Sequence, residues 1–399
     1  MSKFFDNAKH LPFHSETACQ SGRKMVVFSQ TIRRAMEKDG NTMTKRKEIN
    51  DKVVEWIINK VKTEYADDVS LVLLYGSYIN GTANSKSDVD CYYIPKTEHG
   101  YHLATGFIID GVGYDLFPIS WERITQIADL QECLLPLVGD VQVIYCGNSR
   151  DLERFKEIQC RLHSNLANDE YVKAIARKRC EDANTMCEQI RPGGSLSEIR
   201  KIAGHVIMTL ADVIAIFNHD YFHFGLKKQY ENLASHFPDV PQHIVTGYRQ
   251  VVISLSKNDV IEKTISLLKN VCDYVQYTPE SHVAMISNEV TVAVEVNASW
   301  LAGLYEEISS TFRKIYVCCE SGNYILAFLS AVCLQRELDD AKEAGSPSYD
   351  LLSSFDYRDL GKLAEKTRMI EADFVELITG SGGNIKSYDN WEAFIQADL

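Results

Sequence analysis

The order of apolar and polar positions divides the chain into a mixed first part and a helical remainder. From residue 44 to about residue 65, apolar positions recur at the spacing of an amphipathic helix. Residues 69–75 then form an apolar run of strand length that ends at Gly76. Strands are also predicted over residues 88–94, 101–109, 112–119 and 141–145, with a hairpin turn at Asp110–Gly111. This part of the chain therefore predicts an α+β domain.

After residue 122 the apolar spacing is mostly helical. A Pro-Gly-Gly break at residues 192–194 precedes Ser195-x-x-Glu198, a capping box that opens a long helix. Residues 1–42, in contrast, are polar and have no sustained period. Because 399 residues exceed one compact core, we predict several units. These are a flexible extension (1–44), the α+β domain (45–150), a helical bundle (151–279) and an additional C-terminal helical region (280–399).

Composition and charge narrow the choice of partners. The chain is 45% hydrophobic and 24% charged, and no apolar run reaches the roughly 20 residues that a membrane span requires. Neither a membrane span nor a signal-peptide core is found, so we expect a cytoplasmic protein. The eleven cysteines form no C-x-x-C pair, which favours reduced thiols over a zinc site.

The net charge of −13 is unevenly distributed along the chain. Residues 1–50 contain ten basic and five acidic residues, so the remainder carries −18. Such an acidic body repels a phosphate backbone. Nucleic acid is therefore disfavoured as the acceptor, and a cationic small molecule is favoured.

The stretch from Tyr75 to Asp90, Tyr-Gly-Ser-Tyr-Ile-Asn-Gly-Thr-Ala-Asn-Ser-Lys-Ser-Asp-Val-Asp, contains the most informative motif. Gly76 and Ser77 stand where the first strand ends and a helix should begin. A glycine at this place lets the backbone approach a phosphate closely, and the following N–H groups, the serine hydroxyl and the helix N-terminus can donate to it. This turn is thus a candidate phosphate-binding element.

Carboxylates follow the turn at strand spacing. Asp88 and Asp90 are two residues apart on a predicted strand, so their side chains point to the same face. Asp115, in the sequence Gly-Tyr-Asp-Leu-Phe, lies on a strand that could pair beside them. Carboxylate oxygens are the ligands that Mg²⁺ prefers, and three such groups can hold two ions for an in-line displacement. The pattern predicts a magnesium site.

The Gly-Ser turn, Gly81 and the Ser-Asp-x-Asp sequence together resemble the signature of the DNA polymerase β nucleotidyltransferase superfamily over residues 68–119. Within it the chain looks most like the kanamycin (aminoglycoside) nucleotidyltransferase branch over about residues 43–279. The resemblance implies a mixed sheet with helices followed by helical domains. The region after residue 280 has no counterpart in that branch.

The resemblance also implies roles for individual residues. Gly76, Ser77 and Ser87 would contact the nucleotide phosphates. Asp88, Asp90 and Asp115 would bind magnesium, and Asp115 would also help to deprotonate the acceptor. The general base of that branch corresponds best to Glu181, and the neighbouring Asp182 is the alternative register.

We therefore expect a magnesium-dependent enzyme that transfers a nucleoside monophosphate from a nucleoside triphosphate to a small-molecule hydroxyl and releases pyrophosphate. The acceptor could be an aminoglycoside-like antibiotic, in which case the enzyme would confer antibiotic resistance. Two alternatives stay open: an AMP-transferring, antitoxin-like enzyme that modifies a protein, and a nucleotide-binding interaction protein without activity. Two other pairs of residues are predicted to have no role in the chemistry. The histidines at 219 and 223 should pack among aromatic residues, and the glutamates at 306 and 307 should be solvated.

Overall fold

The computed structural model describes residues 25–279 and 295–398, except residues 85 and 192, with side chains from residue 43 onward. Its central element is a mixed sheet in the order β5-β1-β2-β4-β3-β6. β2 pairs in parallel with β4, β3 pairs in parallel with β6, and the other neighbours are antiparallel. The strands are β1 (Val69–Tyr75), β2 (Asp90–Pro95), β3 (Thr105–Ile109), β4 (Val112–Pro118), β5 (Gln142–Cys146) and β6 (Ser387–Tyr388).

The predicted hairpin is confirmed at β3 and β4. Asp110 and Gly111 both have positive φ, 49° and 69°, and the strands on either side pair from Ile109 opposite Val112. Two consecutive residues of positive φ match the right-handed twist of antiparallel strands, which is why Asp-Gly is favoured there. This turn pairs β4, the strand of Asp115, with β3, and the other edge of β4 pairs with β2.

Helices cover both faces of the sheet. On one face, α1 (Met25–Glu64) and α14 (Trp391–Asp398) pack on the even-numbered side chains of β1, such as Val72. On the other face, α3 (Trp121–Ala128), α4 (Pro136–Gly139) and α5 (Ser149–Leu166) cover the odd-numbered ones, such as Leu71. β1 is buried on both sides, which explains why it appears in the sequence as an apolar run.

Helix α1 is longer than its apolar pattern indicated. Its backbone is helical from Met25, whereas helical spacing of apolar residues begins at residue 44. The part of the predicted extension that precedes residue 25 lies outside the described residues.

The remaining helices form one apolar core. Buried residues from Ala176 to Ile378 belong to a single cluster, and α7 packs against α12 so closely that a side-chain carbon at Gly204 would overlap Val332. The predicted boundary near residue 280 is therefore not a break in this core. These helices are α6 (Asp169–Glu188), α7 (Leu196–Phe217), α8 (Gln229–Ser235), α9 (Gln242–Ile253), α10 (Lys257–Tyr274), α11 (Ala298–Ser321), α12 (Tyr324–Asp340) and α13 (Gly361–Gly380).

Two local predictions in this region can be compared directly. The capping box is confirmed, because the Glu198 N–H donates to Ser195 Oγ at 3.1 Å and the Ser195 N–H donates to Glu198 Oε2 at 2.6 Å. Most of helix α5, in contrast, falls within the predicted bundle (151–279), but the helix packs on the sheet through Phe155 and Leu162.

The end of the chain returns to the sheet. β6 adds to β3, and Phe394 of α14 stacks on Phe107 with ring centroids 4.4 Å apart. The Trp56 indole of α1 donates to Asp398 at 2.8 Å. The C-terminal region is therefore not purely helical, and it is integrated into the α+β domain. In the described part of the chain, no helix is both long and apolar enough to cross a membrane.

Candidate active site

Three aspartates meet at the start of β2 and on the neighbouring strand β4. Cys91 lies opposite Leu116 in the parallel β2–β4 pair, so the preceding residues, Asp90 and Asp115, are neighbours in the same register. Asp88 precedes Asp90 by two residues. The prediction that β4 runs beside β2 is confirmed, and it brings all three carboxylates to one end of the sheet.

The Gly-Ser turn packs directly on Asp90. Gly76 has φ 74°, and a side-chain carbon there would overlap Asp90 Oδ2. The Ser77 N–H donates to the Asp90 carboxylate. The predicted helix, α2 (Ser77–Asn80), does begin at Ser77 but is only four residues long, so its macrodipole is small. Asp90 therefore takes one of the amide groups that the sequence assigned to a phosphate.

Burial of the three carboxylates and repulsion between them raise the free energy of their ionised forms. Burial raises the pKa of Asp90 to about 7, and the charge of Asp88 acts in the same direction. Burial also raises the pKa of Asp115 to about 7, with a further contribution from Glu307. The pKa of Asp88 is raised by burial and lowered in part by Lys314. The site therefore favours a positive charge between these groups.

The carboxylates lie in a cleft of about 230 Å³ between the sheet and the C-terminal helices. Tyr75, Asp90 and Asp115 form its floor, whereas Glu307 and Thr311 of α11 and Glu337 of α12 form a wall. Glu307 remains accessible to solvent because it faces this open cleft, although protein atoms surround it on several sides.

Helix α11 approaches the sheet at two glycines. A side-chain carbon at Gly113 of β4 would overlap Ser309 Oγ and lie 3.0 Å from the Glu306 carbonyl oxygen. At Gly106 of β3 it would lie 3.1 Å from Glu306 Cβ. The absence of side chains at these positions lets the helix backbone contact the strands.

The prediction that Glu306 is solvated is wrong. Glu306 is 3% exposed, and its carboxylate accepts from the Lys386 N–H at 2.6 Å. Glu307 lines the cleft and Lys314 lies further along α11, and the sequence predicts no chemical role for either residue. The helical spacing of α11 is visible in the sequence, but nothing in it indicates that this helix docks beside Asp115.

Cations face the carboxylates from two directions. Lys314 of α11 lowers the pKa of Asp88 and Asp90 through its charge. Lys227, which follows α7, also acts on Asp90, and its ammonium donates to the Thr82 carbonyl at 2.8 Å. The cleft is thus basic near Asp88 and Asp90 and acidic near Asp115.

The loop before Asp88 is fixed by α1. The Asn50 side chain donates to the carbonyl oxygens of Ser87 and Asp88 at 3.1 and 3.4 Å, and it accepts from the Tyr114 hydroxyl at 2.7 Å. Ser87 Oγ accepts from the Asn84 N–H at 2.9 Å. The Ser87 hydroxyl, expected at the phosphates, closes this loop.

The predicted base on α6 lies elsewhere. Glu181 accepts from the Tyr277 hydroxyl at 2.5 Å, beyond the end of α10, and Asp182 is exposed. Neither lines the cleft that contains the aspartates. The structure therefore brings together Asp88, Asp90 and Asp115 below Gly76 and Ser77, but it does not add Glu181 to them.

The histidine pair at 219 and 223 has protein partners. His219 Nδ1 lies 2.6 Å from the Leu166 carbonyl oxygen, and His223 lies between Asp140 and Asp220 at 2.8 and 3.1 Å. The packing interpretation agrees with these contacts.

The donor chemistry of the aspartate site fits a divalent cation. Three carboxylates at one end of the sheet are hard oxygen ligands, and burial raises the pKa of each, so their ionised forms favour a nearby cation. Within the described residues, however, no three His, Cys, Asp or Glu side chains already converge on a metal position. An ion would have to draw the carboxylates together.

Comparisons with known proteins add little. No protein-family model and no curated protein matches the chain. Among solved structures, it is similar to a nucleotidyltransferase-like protein from Exiguobacterium sibiricum 255-15. The two are 12% identical, the match covers 55% of this chain and 74% of that chain, and the TM-score is 0.31. At this level the likeness carries no argument, so the α+β assignment rests on the strand order and the chemistry rests on the aspartate site.

Proposed function

We propose that this chain is a nucleotidyltransferase that moves a nucleoside monophosphate from a nucleoside triphosphate to a hydroxyl group. The observation that supports it most is the arrangement of Asp88, Asp90 and Asp115 beneath the Gly76–Ser77 turn. Three half-buried carboxylates close together are unfavourable without a cation, and a protein retains such a group when its chemistry requires it.

Magnesium is the cofactor that this donor set fits best, and it would be held by Asp88, Asp90 and Asp115. When bound, it would neutralise the phosphates and stabilise the charge that develops on the attacking and leaving oxygens. The donor triphosphate would lie beside the Gly76–Ser77 turn, next to the carboxylates that would hold the cation.

The reaction forms one bond and breaks one. The acceptor hydroxyl oxygen attacks the α-phosphorus, the bond to the bridging oxygen breaks, and pyrophosphate leaves. The hydroxyl proton has to pass to a base. Glu307 is supported in this role because it lines the cleft next to Asp115, whereas Glu181 is the base that the sequence resemblance implies.

A small cationic acceptor suits the acidic side of the cleft. Glu307 and Glu337 lie close enough that the charge of Glu337 raises the pKa of Glu307 beyond the effect of burial. An amine-bearing molecule would relieve this repulsion, and the volume of about 230 Å³ matches a small group rather than a protein surface. An aminoglycoside-like antibiotic is an acceptor of this class.

A substrate screen tests the proposal. Purified protein is incubated with Mg²⁺ and each labelled nucleoside triphosphate, together with amine-bearing hydroxyl compounds and with candidate proteins as separate arms. We expect pyrophosphate release and a labelled small product, both suppressed by a chelator. A labelled protein instead would establish the protein-modifying alternative. Binding without transfer in every arm would contradict the enzymatic assignment.

A further inference from the structure

One face of α11 follows the cleft from its acidic end to its basic end. Glu307, Ser310 and Thr311 line the cavity, and Lys314 lies one turn further along. These positions are spaced by three and four residues, so they share one side of the helix. Seven residues separate Glu307 from Lys314, which corresponds to about 10 Å along the axis.

Lys314 is positioned toward the carboxylates but does not close an ion pair with them. It follows the cleft-lining Thr311 by three positions on the same side of α11, and its charge acts on Asp88 and Asp90. Among the described residues, no carboxylate oxygen lies within 4 Å of its ammonium. A lysine that faces acidic groups across a gap can bind an anion placed between them, which a lysine in a closed salt bridge cannot do as readily.

Arg313, which precedes Lys314, supports the interpretation that this part of α11 binds an anion. Arg313 carries a guanidinium nitrogen, Nη2, that is buried and has no hydrogen-bond partner in the described structure. Its charge also acts on Asp88. A buried guanidinium N–H without an acceptor is costly, and it indicates a place where an acceptor arrives.

We propose that α11, in the C-terminal region that the sequence left without a role, supplies the cation that binds the donor polyphosphate, and that Lys314 makes this contact. The inference rests on the proposed nucleotidyl transfer and names a further binding residue for it. Lys227, which lies close enough to Lys314 for their charges to repel each other, would contact the same anion. The polyphosphate would then lie between the carboxylate-bound cation and these two lysines, with its charge neutralised from both sides.

The proposal is tested by binding rather than by turnover. Isothermal titration calorimetry with inorganic tripolyphosphate and Mg²⁺ measures the phosphate contact without any contribution from a base or a sugar. Lys314→Met should raise Kd by about tenfold or more, because a charge-assisted contact is lost, and Lys314→Arg should recover part of the affinity. The matched control is Lys362→Met, an exposed lysine at the start of α13 that pairs with Asp359 at 3.9 Å.

The outcomes separate this inference from the proposed function. Wild-type affinity in Lys314→Met, with binding intact in the wild type, would overturn the role of α11 and leave nucleotidyl transfer standing. The same loss in Lys362→Met would show a general charge effect and would also overturn it. Absence of binding in the wild type, for both tripolyphosphate and nucleoside triphosphates, would instead contradict the proposed function. Thermal melts of all variants confirm that each is folded.

Discussion

The Asp90 carboxylate occupies the space that a side chain at Gly76 would need. A side-chain carbon at Gly76 would overlap Asp90 Oδ2, the Ser77 N–H donates to the same carboxylate, and Tyr75 pairs with Asp90 across β1 and β2. The orientation of a predicted metal ligand thus depends on a glycine that precedes it by fourteen positions in the sequence.

Gly76→Ala should inactivate the enzyme while Gly81→Ala should not. Both glycines have positive φ, 74° and 76°, but their ψ angles differ. Gly81 (ψ 13°) is left-handed, where alanine costs ~1–2 kcal/mol, whereas Gly76 (ψ −154°) has a conformation that is essentially restricted to glycine. Only at Gly76 does the new methyl group overlap Asp90; at Gly81 no atom lies within 4 Å. We expect a larger loss of Tm and at least a ~100-fold loss of transfer per folded protein in Gly76→Ala, with transfer retained in Gly81→Ala. Equal activities would show that Asp90 tolerates displacement.

Asp90→Asn should abolish transfer and retain the fold. An amide cannot replace the charge that the metal needs, but it preserves the shape and the hydrogen bond from Ser77. In differential scanning fluorimetry, Mg²⁺ with a nucleoside triphosphate should raise the Tm of the wild type and leave that of the variant unchanged. Near-normal turnover in the variant would remove Asp90 from the site.

The general base can be assigned by replacing each candidate glutamate with glutamine and comparing the rates of transfer. If Glu307 takes the proton, Glu307→Gln should lower kcat by about 10²-fold or more with unchanged nucleotide affinity, because the amide keeps the size and loses the basicity. Glu181→Gln, at the Tyr277 contact, should then retain its rate, as should Asp182→Asn. A selective loss in Glu181→Gln would restore the assignment that the sequence resemblance implied, and it would require α6 to move toward Asp115.

The contacts of His223 with Asp140 and Asp220 should stabilise the folded protein in a defined pH range. Hydrogen bonds to Asp140 and Asp220 raise the pKa of His223 from an ordinary value of 6.5 to about 10. The protonated form is therefore favoured by folding, so this stabilisation is complete below pH 6.5 and is lost as the pH rises through 10.

Urea denaturation of His223→Gln checks this dependence. The side chain is 38% exposed, so solvent screening limits the expected loss in free energy of unfolding to ~1 kcal/mol at pH 6. The difference from the wild type should shrink at pH 9.5 and vanish above pH 10. The exposed His163→Gln serves as the control. A difference that grows with pH would show that folding favours the neutral imidazole.

Several features were determined by the sequence because they depend on local geometry. Two residues of positive φ at Asp110–Gly111 set the hairpin that carries Asp115. Asp88, in contrast, was expected on the strand but lies in the loop before β2, which begins at Asp90. Ser195 and Glu198 are close enough in the chain to cap their helix without distant help. The α+β class and the three-aspartate motif follow from such short-range rules.

Other features were decided by contacts between distant segments. The position of α11 depends on its close approach to β4 at Gly113 and to β3 at Gly106. Nothing in the sequence around either glycine indicates that a helix packs against it. The docking of α11 makes Glu306 buried, brings Glu307 to Asp115 and directs Lys314 at Asp88 and Asp90. In the same way α5 joins the sheet, and Glu181 lies at Tyr277 instead of in the cleft. Helical periodicity shows which side of a helix is apolar, but the partner of that side is set by packing across the whole chain, and here that packing completes the candidate site.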